Sequence, residues 1–183
     1  MGTRIHGRLA GRLGSATGLG RGSLYGTFGG KDALFRQCLD RYASTYGTRY
    51  EQALTTHAGD PVRAIEAFFD VILARIADPS VPAGCLIAQS AAQAPILTGD
   101  NSAHVRTLLD TQRRRVRTAL TGPSAAPEVL ADELATFVVA VNQSLAVLSR
   151  AGASGTELRA VARLACQTVA DALGATPEHA ACD

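Results

Sequence analysis

Tryptophan is absent from this chain, methionine and lysine occur once each, and arginine supplies the other seventeen basic side chains. That bias reflects GC-rich coding as much as chemistry. The four cysteines (Cys38, Cys85, Cys166, Cys182) lie far apart with no CxxC pair, and the histidines have no HExxH or other ligand spacing. A disulfide framework and a metal site are therefore not expected. Cys38, Cys85 and Cys166 fall in apolar periodic stretches and read as small buried hydrophobes, with Cys182 in the tail. No run approaches ~18 uninterrupted apolar residues, so no membrane partner is expected. The first residues lack the apolar core of a secretory signal, and a soluble, cytoplasmic protein is expected. No nucleophile–base pair or phosphate loop is present. Gly18 to Gly22 is glycine-rich, but no strand pattern precedes it. An enzyme is not expected, and no cofactor.

What is present is an uneven charge. Residues 1–50 hold eight basic groups against two acidic ones (Asp32, Asp40), while residues 51–183 hold ten against fourteen. A basic head on an acidic body suits contact with a polyanion through the head alone. At 183 residues the chain is long enough for a real hydrophobic core.

Apolar residues recur at three- and four-residue steps, and nothing suggests strands, so the fold class is all-α. One stripe (Val62, Ile65, Phe69, Ile72, Ile76) opens on Asp60-Pro61 and closes at Asp78-Pro79. A second runs from Val105 to Leu120 and stops at Gly122-Pro123. A third, stronger one runs from Leu130 to Leu148. The last spans Leu158 to Leu173, with caps available from Ser154 to Thr156. Residues 84–94 read as a shorter apolar helix, and the tail beyond Gly174 as frayed.

The most specific segment is residues 18–35, GLGRGSLYGTFGGKDALF. It reads as a tight turn, a short helix from about Gly20 to Thr27, a second glycine turn and a new helix starting at Lys31. That layout sets a helix N-terminus in the major groove. Arg21, Gly22 and Ser23 occupy its leading end. There small residues admit close backbone approach, and Arg21 has the reach for guanine or phosphate. Tyr25 and Thr27 offer hydroxyls to phosphate, and Lys31 reaches the backbone from the next helix. Leu24 and Phe28 face a small core, with Leu13 and Ala16-Thr17 ending a supporting helix.

Residues 18–35 resemble the turn, recognition helix and following helix start of TetR-type transcriptional regulators. Gly84-Cys85-Leu86-Ile87 and the stretch from Leu145 to Leu158 carry weaker likeness to that family's body. The resemblance implies a helix-turn-helix head over residues 1–45 and a ligand-binding and dimerisation domain over 46–183. It implies a homodimeric repressor on a pseudo-palindromic double-stranded DNA operator, released by a small-molecule effector expected to be apolar. The sequence departs from the family pattern at Thr27, where a histidine or aromatic is common. Gly7, Gly11 and Gly14 also fall where the supporting helix belongs, each costing ~1 kcal/mol relative to alanine. Ahead of them the family's first helix lacks room, so the head is expected to be incomplete. The alternative is a dimeric helical ligand-binding remnant that has lost operator binding.

In the body, Tyr42, Tyr46 and Tyr50 share a helix face, read as packing between head and body in preference to an aromatic ligand wall. The expected pocket draws Phe68, Phe69, Ile72 and Leu86 as apolar lining. Gln89, Gln93, His104 and Leu108 complete it. The expected dimer interface uses Phe137, Val141 and Leu145 from one helix. Leu158, Val161, Ala165 and Val169 come from the next. Arg113 to Arg117 reads as a solvated basic face.

Overall fold

The computed structural model describes residues 15, 18, 20–121 and 127–174. Among the described residues every regular element is helical: α1 (Arg21–Phe28), α2 (Lys31–Thr56), α3 (Pro61–Ala77), α4 (Leu86–Ala92), a 3-10 turn (Ala94–Ile96), α5 (Gly99–Leu120), α6 (Glu128–Arg150) and α7 (Gly155–Ala172). The all-α expectation holds. The supporting helix expected around Gly7, Gly11, Gly14, Leu13 and Ala16-Thr17 lies outside the described residues, as do the Gly122-Pro123 stop and the tail beyond Gly174.

The helix boundaries follow from local chemistry. Asp60 accepts the Arg63 amide at 3.0 Å, with Pro61 in the first turn where its missing N–H costs nothing. At α7, Ser154 accepts the Glu157 amide at 3.2 Å, and Glu157 returns to accept the Ser154 N–H at 2.7 Å. This reciprocal cap satisfies two otherwise orphaned donors. Between α1 and α2 the chain reverses through Gly29 (φ 75) and Gly30 (φ 103), conformations that side-chain-bearing residues rarely adopt.

Helix α3 is the centre of the bundle and packs against α2, α5, α6 and α7. Because four neighbours surround it, its apolar face is wide: Ile65, Phe68, Phe69 and Ile72 are fully buried. Tyr50 meets Phe68 edge-on at 5.3 Å between ring centroids, and Phe68 meets Phe69 at 5.7 Å. Phe68, Phe69 and Ile72 are thus core residues, and the expectation that they line a pocket is corrected. Leu145, Leu158, Ala165 and Val169 are likewise buried within this one chain. The inward stripes of α6 and α7 are consumed by the intrachain core. A different stripe stays outside: Phe137, Leu148 and Leu164 are exposed, and Val141 and Val161 are half-buried. Cys38 is exposed, against the reading of it as buried, while Cys85 and Cys166 are buried. Helix α6 is long and apolar enough to cross a membrane by length and composition. It sits between α5 and α7 with Leu134, Val138 and Leu145 buried in the bundle.

Phe69→Ala is expected to cost ~3–5 kcal/mol in chemical denaturation through the cavity it leaves. The Glu157 carboxyl is held below its ordinary value by the Ser154 amide and hydroxyl. Its contribution is fully present above the ordinary glutamate value of ~4.3 and is lost as pH falls through the lowered one. Stability profiles of wild type and Glu157→Gln should therefore converge as pH drops below about 4.

Candidate nucleic-acid interface and inner cavity

Helix α1 begins at Gly20, whose extended backbone (φ −66, ψ 150) leads into Arg21, and ends on the left-handed Gly29. Gly18 has φ 68, which supplies the bend ahead of the helix. Gly22, Ser23 and Thr27 are exposed, and Tyr25 and Phe28 are half-buried. Only the backbone of Arg21 and Leu24 is described. Lys31 is exposed at the first position of α2, beside α1. Gly22, Ser23, Thr27 and Lys31 thus stand accessible on one short helix and the next helix start, where unpaired N–H groups favour anions.

Three polar links at four-residue steps along α2 tie it to the start of α5. Asn101 donates to Asp32 at 3.0 Å, Arg36 lies 3.8 Å from Asp100, and His104 meets Asp40 at 2.7 Å. His104 therefore belongs to this seam, which corrects its placement in a pocket. The seam joins the residues nearest α1 to the body.

Deeper along α2 lies a cavity of about 250 Å³, walled by Tyr42, Tyr46 and Tyr50 from α2, with Cys85, Leu108 and Asn142 opposite. Leu108 is the one expected pocket residue found there. Gln89 and Gln93 line a separate, shallower groove toward the end of α6, where Arg150 donates to Gln89 at 2.9 Å. Leu86 lines none of these spaces. The tyrosine stripe is both core and wall. Tyr50 packs on Phe68, the Tyr42 and Tyr46 rings meet tilted at 4.7 Å, and all three line the cavity.

Arg75, on α3 and only 4% exposed, lines a separate groove with Tyr46, Arg49, Asp70 and Asp78. One guanidinium nitrogen donates to the Gly84 carbonyl, and its plane lies 5.6 Å from the Tyr46 ring centroid. Its Nε and Nη2 complete no hydrogen bond of good geometry, though the Tyr50 hydroxyl lies close enough to favour its charge, and the Tyr42 hydroxyl likewise has only the Cys85 thiol beside it. Burial disfavours its charge, but neighbouring Tyr50, Tyr42 and Cys85 more than offset that, and its pKa stands above the ordinary arginine value. Burial, and then the adjacent Cys85, push Tyr42 well above the usual phenol range, so its O–H remains a donor. Sequence reasoning passed over Arg75. The signal was there: it falls seven residues after Phe68, on the same buried face.

The Arg113–Arg117 run is paired more than solvated. Arg113 and Arg117 share Asp132 at 3.1 and 2.9 Å, Arg114 meets Asp110, and Arg115 meets Glu51 at 3.3 Å. Arg115 also lies over Gly47, where a Cβ would meet its guanidinium at 2.6 Å.

A bundle of this order, with a short glycine-bounded helix ahead of a long one, matches a known class. Residues 61–165, more than half of the chain, match the tetracyclin repressor-like C-terminal domain family. The chain belongs to the TetR family of transcriptional regulators. It is 27% identical over 151 residues to the HTH-type transcriptional repressor ComR of Escherichia coli (strain K12), covering 80% of this chain and 72% of that protein. Its fold is similar to that of cysteine-substituted TetR family regulator CifR complexed with 26-bp double-strand operator DNA. The TM-score is 0.73 at 25% identity, covering 85% of this chain and 82% of that one. A second CifR structure, with operator DNA and the apo form, gives the same score and identity.

Tyr42→Phe removes a buried hydroxyl whose nearest polar neighbour is the weakly bonding Cys85 thiol. Its denaturation midpoint should stay within about 1 kcal/mol of wild type or rise, and a larger loss would show a hidden hydrogen bond.

Proposed function

We propose that this chain is a homodimeric, ligand-responsive repressor that binds a pseudo-palindromic DNA operator through α1. The observation that carries this reading is the exposed leading end of α1, with Gly22 and Ser23 accessible, followed across the Gly29-Gly30 reversal by the exposed Lys31 of α2. Arg21, Gly22 and Ser23 would meet base edges and phosphate, with Tyr25, Thr27 and Lys31 on the backbone. Residues 1–45 act as the reading head and 46–183 as the body, joined through α2, which runs unbroken across residue 45.

The body would pair with a second copy through the outward stripe of α6 and α7. Phe137, Leu148 and Leu164 offer exposed apolar area there, flanked by Val141 and Val161. A small molecule entering the tyrosine-walled cavity would favour a state whose two heads no longer match the operator. The repressor named ComR and the operator-bound CifR structures support this reading by kinship. A regulator of this kind acts on DNA in the cytoplasm and catalyses nothing.

Binding to the chain's own upstream DNA should weaken steeply with salt. Lys31→Ala should reduce the log–log salt slope by about 1, and Arg21→Ala should cost about 1–3 kcal/mol if it reads a base. Electrophoretic shift assays across a salt series measure both. Full-length protein without salt-dependent operator binding would favour the ligand-binding remnant. Phe137→Glu combined with Leu164→Glu should convert a dimer to a monomer in sedimentation. Unchanged assembly would overturn the proposed face.

A further inference from the structure

We infer that the tyrosine-walled cavity takes a small neutral aromatic compound bearing one hydroxyl or amide group, and that the buried side chain of Asn142 reads that group. This rests on the reading of the cavity as the effector site and names the chemistry of what enters it. It replaces a purely apolar effector with one that has an apolar ring and a single polar handle.

The observation is a buried amide with nothing to bond. Asn142, on α6, is 3% exposed and lines the cavity. The other buried neutral polar side chains show the ordinary solution. Ser90 donates to the Leu86 carbonyl at 2.8 Å, Asn101 donates to Asp32 at 3.0 Å, and Ser102 accepts from Arg106 at 3.3 Å. Gln112, the second amide at the cavity, accepts from Gln143 at 3.3 Å. Among the described residues nothing bonds the Asn142 amide, and its atoms are not sealed inside protein as the Asn101 oxygen is. A buried amide without a partner costs free energy, and leucine, of similar size, would fill the position more cheaply. Asn142 therefore offers the cavity a donor and an acceptor that the chain leaves open.

The charges at the cavity favour a neutral ligand. Asp40 and Arg115 are the charged residues on its wall, and each is already paired, with His104 at 2.7 Å and with Glu51 at 3.3 Å. Neither is left for an ion to meet. The Tyr42 hydroxyl has the Cys85 thiol beside it, so Asn142 is the polar group there with no prior claim. The rest of the wall sets the body of the ligand. Tyr42, Tyr46 and Tyr50 line it with Ile87 and Leu108, and tyrosine rings pack well against another ring. About 250 Å³ suits a single ring with a short substituent.

The test is calorimetric titration of the full chain at pH 7 with phenol and benzamide. Toluene serves as the ring without a handle and benzoate as the charged analogue. Phenol and benzamide should bind, with benzoate about tenfold or more weaker than benzamide. The decisive readout is the affinity ratio of phenol to toluene in wild type and in Asn142→Leu. That ratio should fall about tenfold in the variant, as phenol loses affinity and toluene gains it. Asn142→Leu should denature no earlier than wild type, which separates a ligand-reading amide from one that holds the fold. Leu108→Trp, which fills the cavity, should abolish binding of phenol and toluene alike. The assignment is overturned by absent phenol and benzamide binding, by benzoate binding as tightly as benzamide, or by phenol binding that survives Leu108→Trp. A ratio unmoved by Asn142→Leu, or early unfolding of that variant, overturns it equally. The same compounds added to the operator complex separate the two readings. Phenol that binds through Asn142 without changing operator affinity would uphold the site and sink ligand-responsive repression. Toluene or benzoate that releases DNA while phenol and benzamide do not would leave that reading standing and sink this one.

Discussion

The continuity of α2 is the constraint on which the other parts depend. One helix of 26 residues carries Lys31 beside α1, Tyr42 and Tyr46 at the cavity, and Leu54 in the core. At 1.5 Å per residue it is roughly 39 Å long. A rod held in the core at its far end converts small angular changes into displacement at its tip. A tilt of about 5° around Leu54 moves Lys31 by about 3 Å, enough to spoil a pair of heads set one DNA turn apart. The cavity wall is part of that rod, so in the proposed function whatever fills the cavity would act on the head through no intermediate element. The polar seam at Asp32, Arg36 and Asp40 means that α5 either moves with it or resists.

Arg75 gives the same rod an electrostatic neighbour. It packs on Tyr46 of α2 and binds the Gly84 carbonyl just before α4, so it touches two of the elements that bound the cavity. Gly84 has φ 94, and a Cβ there would meet Gln89 at 2.6 Å, so glycine fixes where that carbonyl points.

The sequence exposed the helices and the head because those depend on local chemistry. Asp60-Pro61 and the Ser154–Glu157 box are start signals readable within a few residues, and the Gly29-Gly30 reversal needs no tertiary information. Residues 18–35 were diagnostic for the same reason. The cavity was not legible, because its walls come from four helices and depend on which of two apolar faces each helix spends on the core. Phe68, Phe69 and Ile72 went to the core because α3 is enclosed by four neighbours, and Leu145, Leu158, Ala165 and Val169 because α6 and α7 pack on it and on each other. His104 looked like a polar pocket group, and only its meeting with Asp40, 64 residues away, placed it elsewhere. Arg75 was legible in principle as a charge on a core stripe, but its lack of a counter-ion is a three-dimensional fact.

The most direct measurement of the central claim is the distance between two copies of α2 in the proposed dimer. The exposed Cys38 on α2 takes a spin label while Cys85 and Cys166 are buried, and Cys182→Ser removes the remaining thiol. Pulsed electron resonance on this variant, with and without the cavity-filling Leu108→Trp substitution, reads the separation of the rods. A shift of about 2 Å or more in the filled variant is the predicted result. An unchanged distance in a folded filled variant would contradict the account.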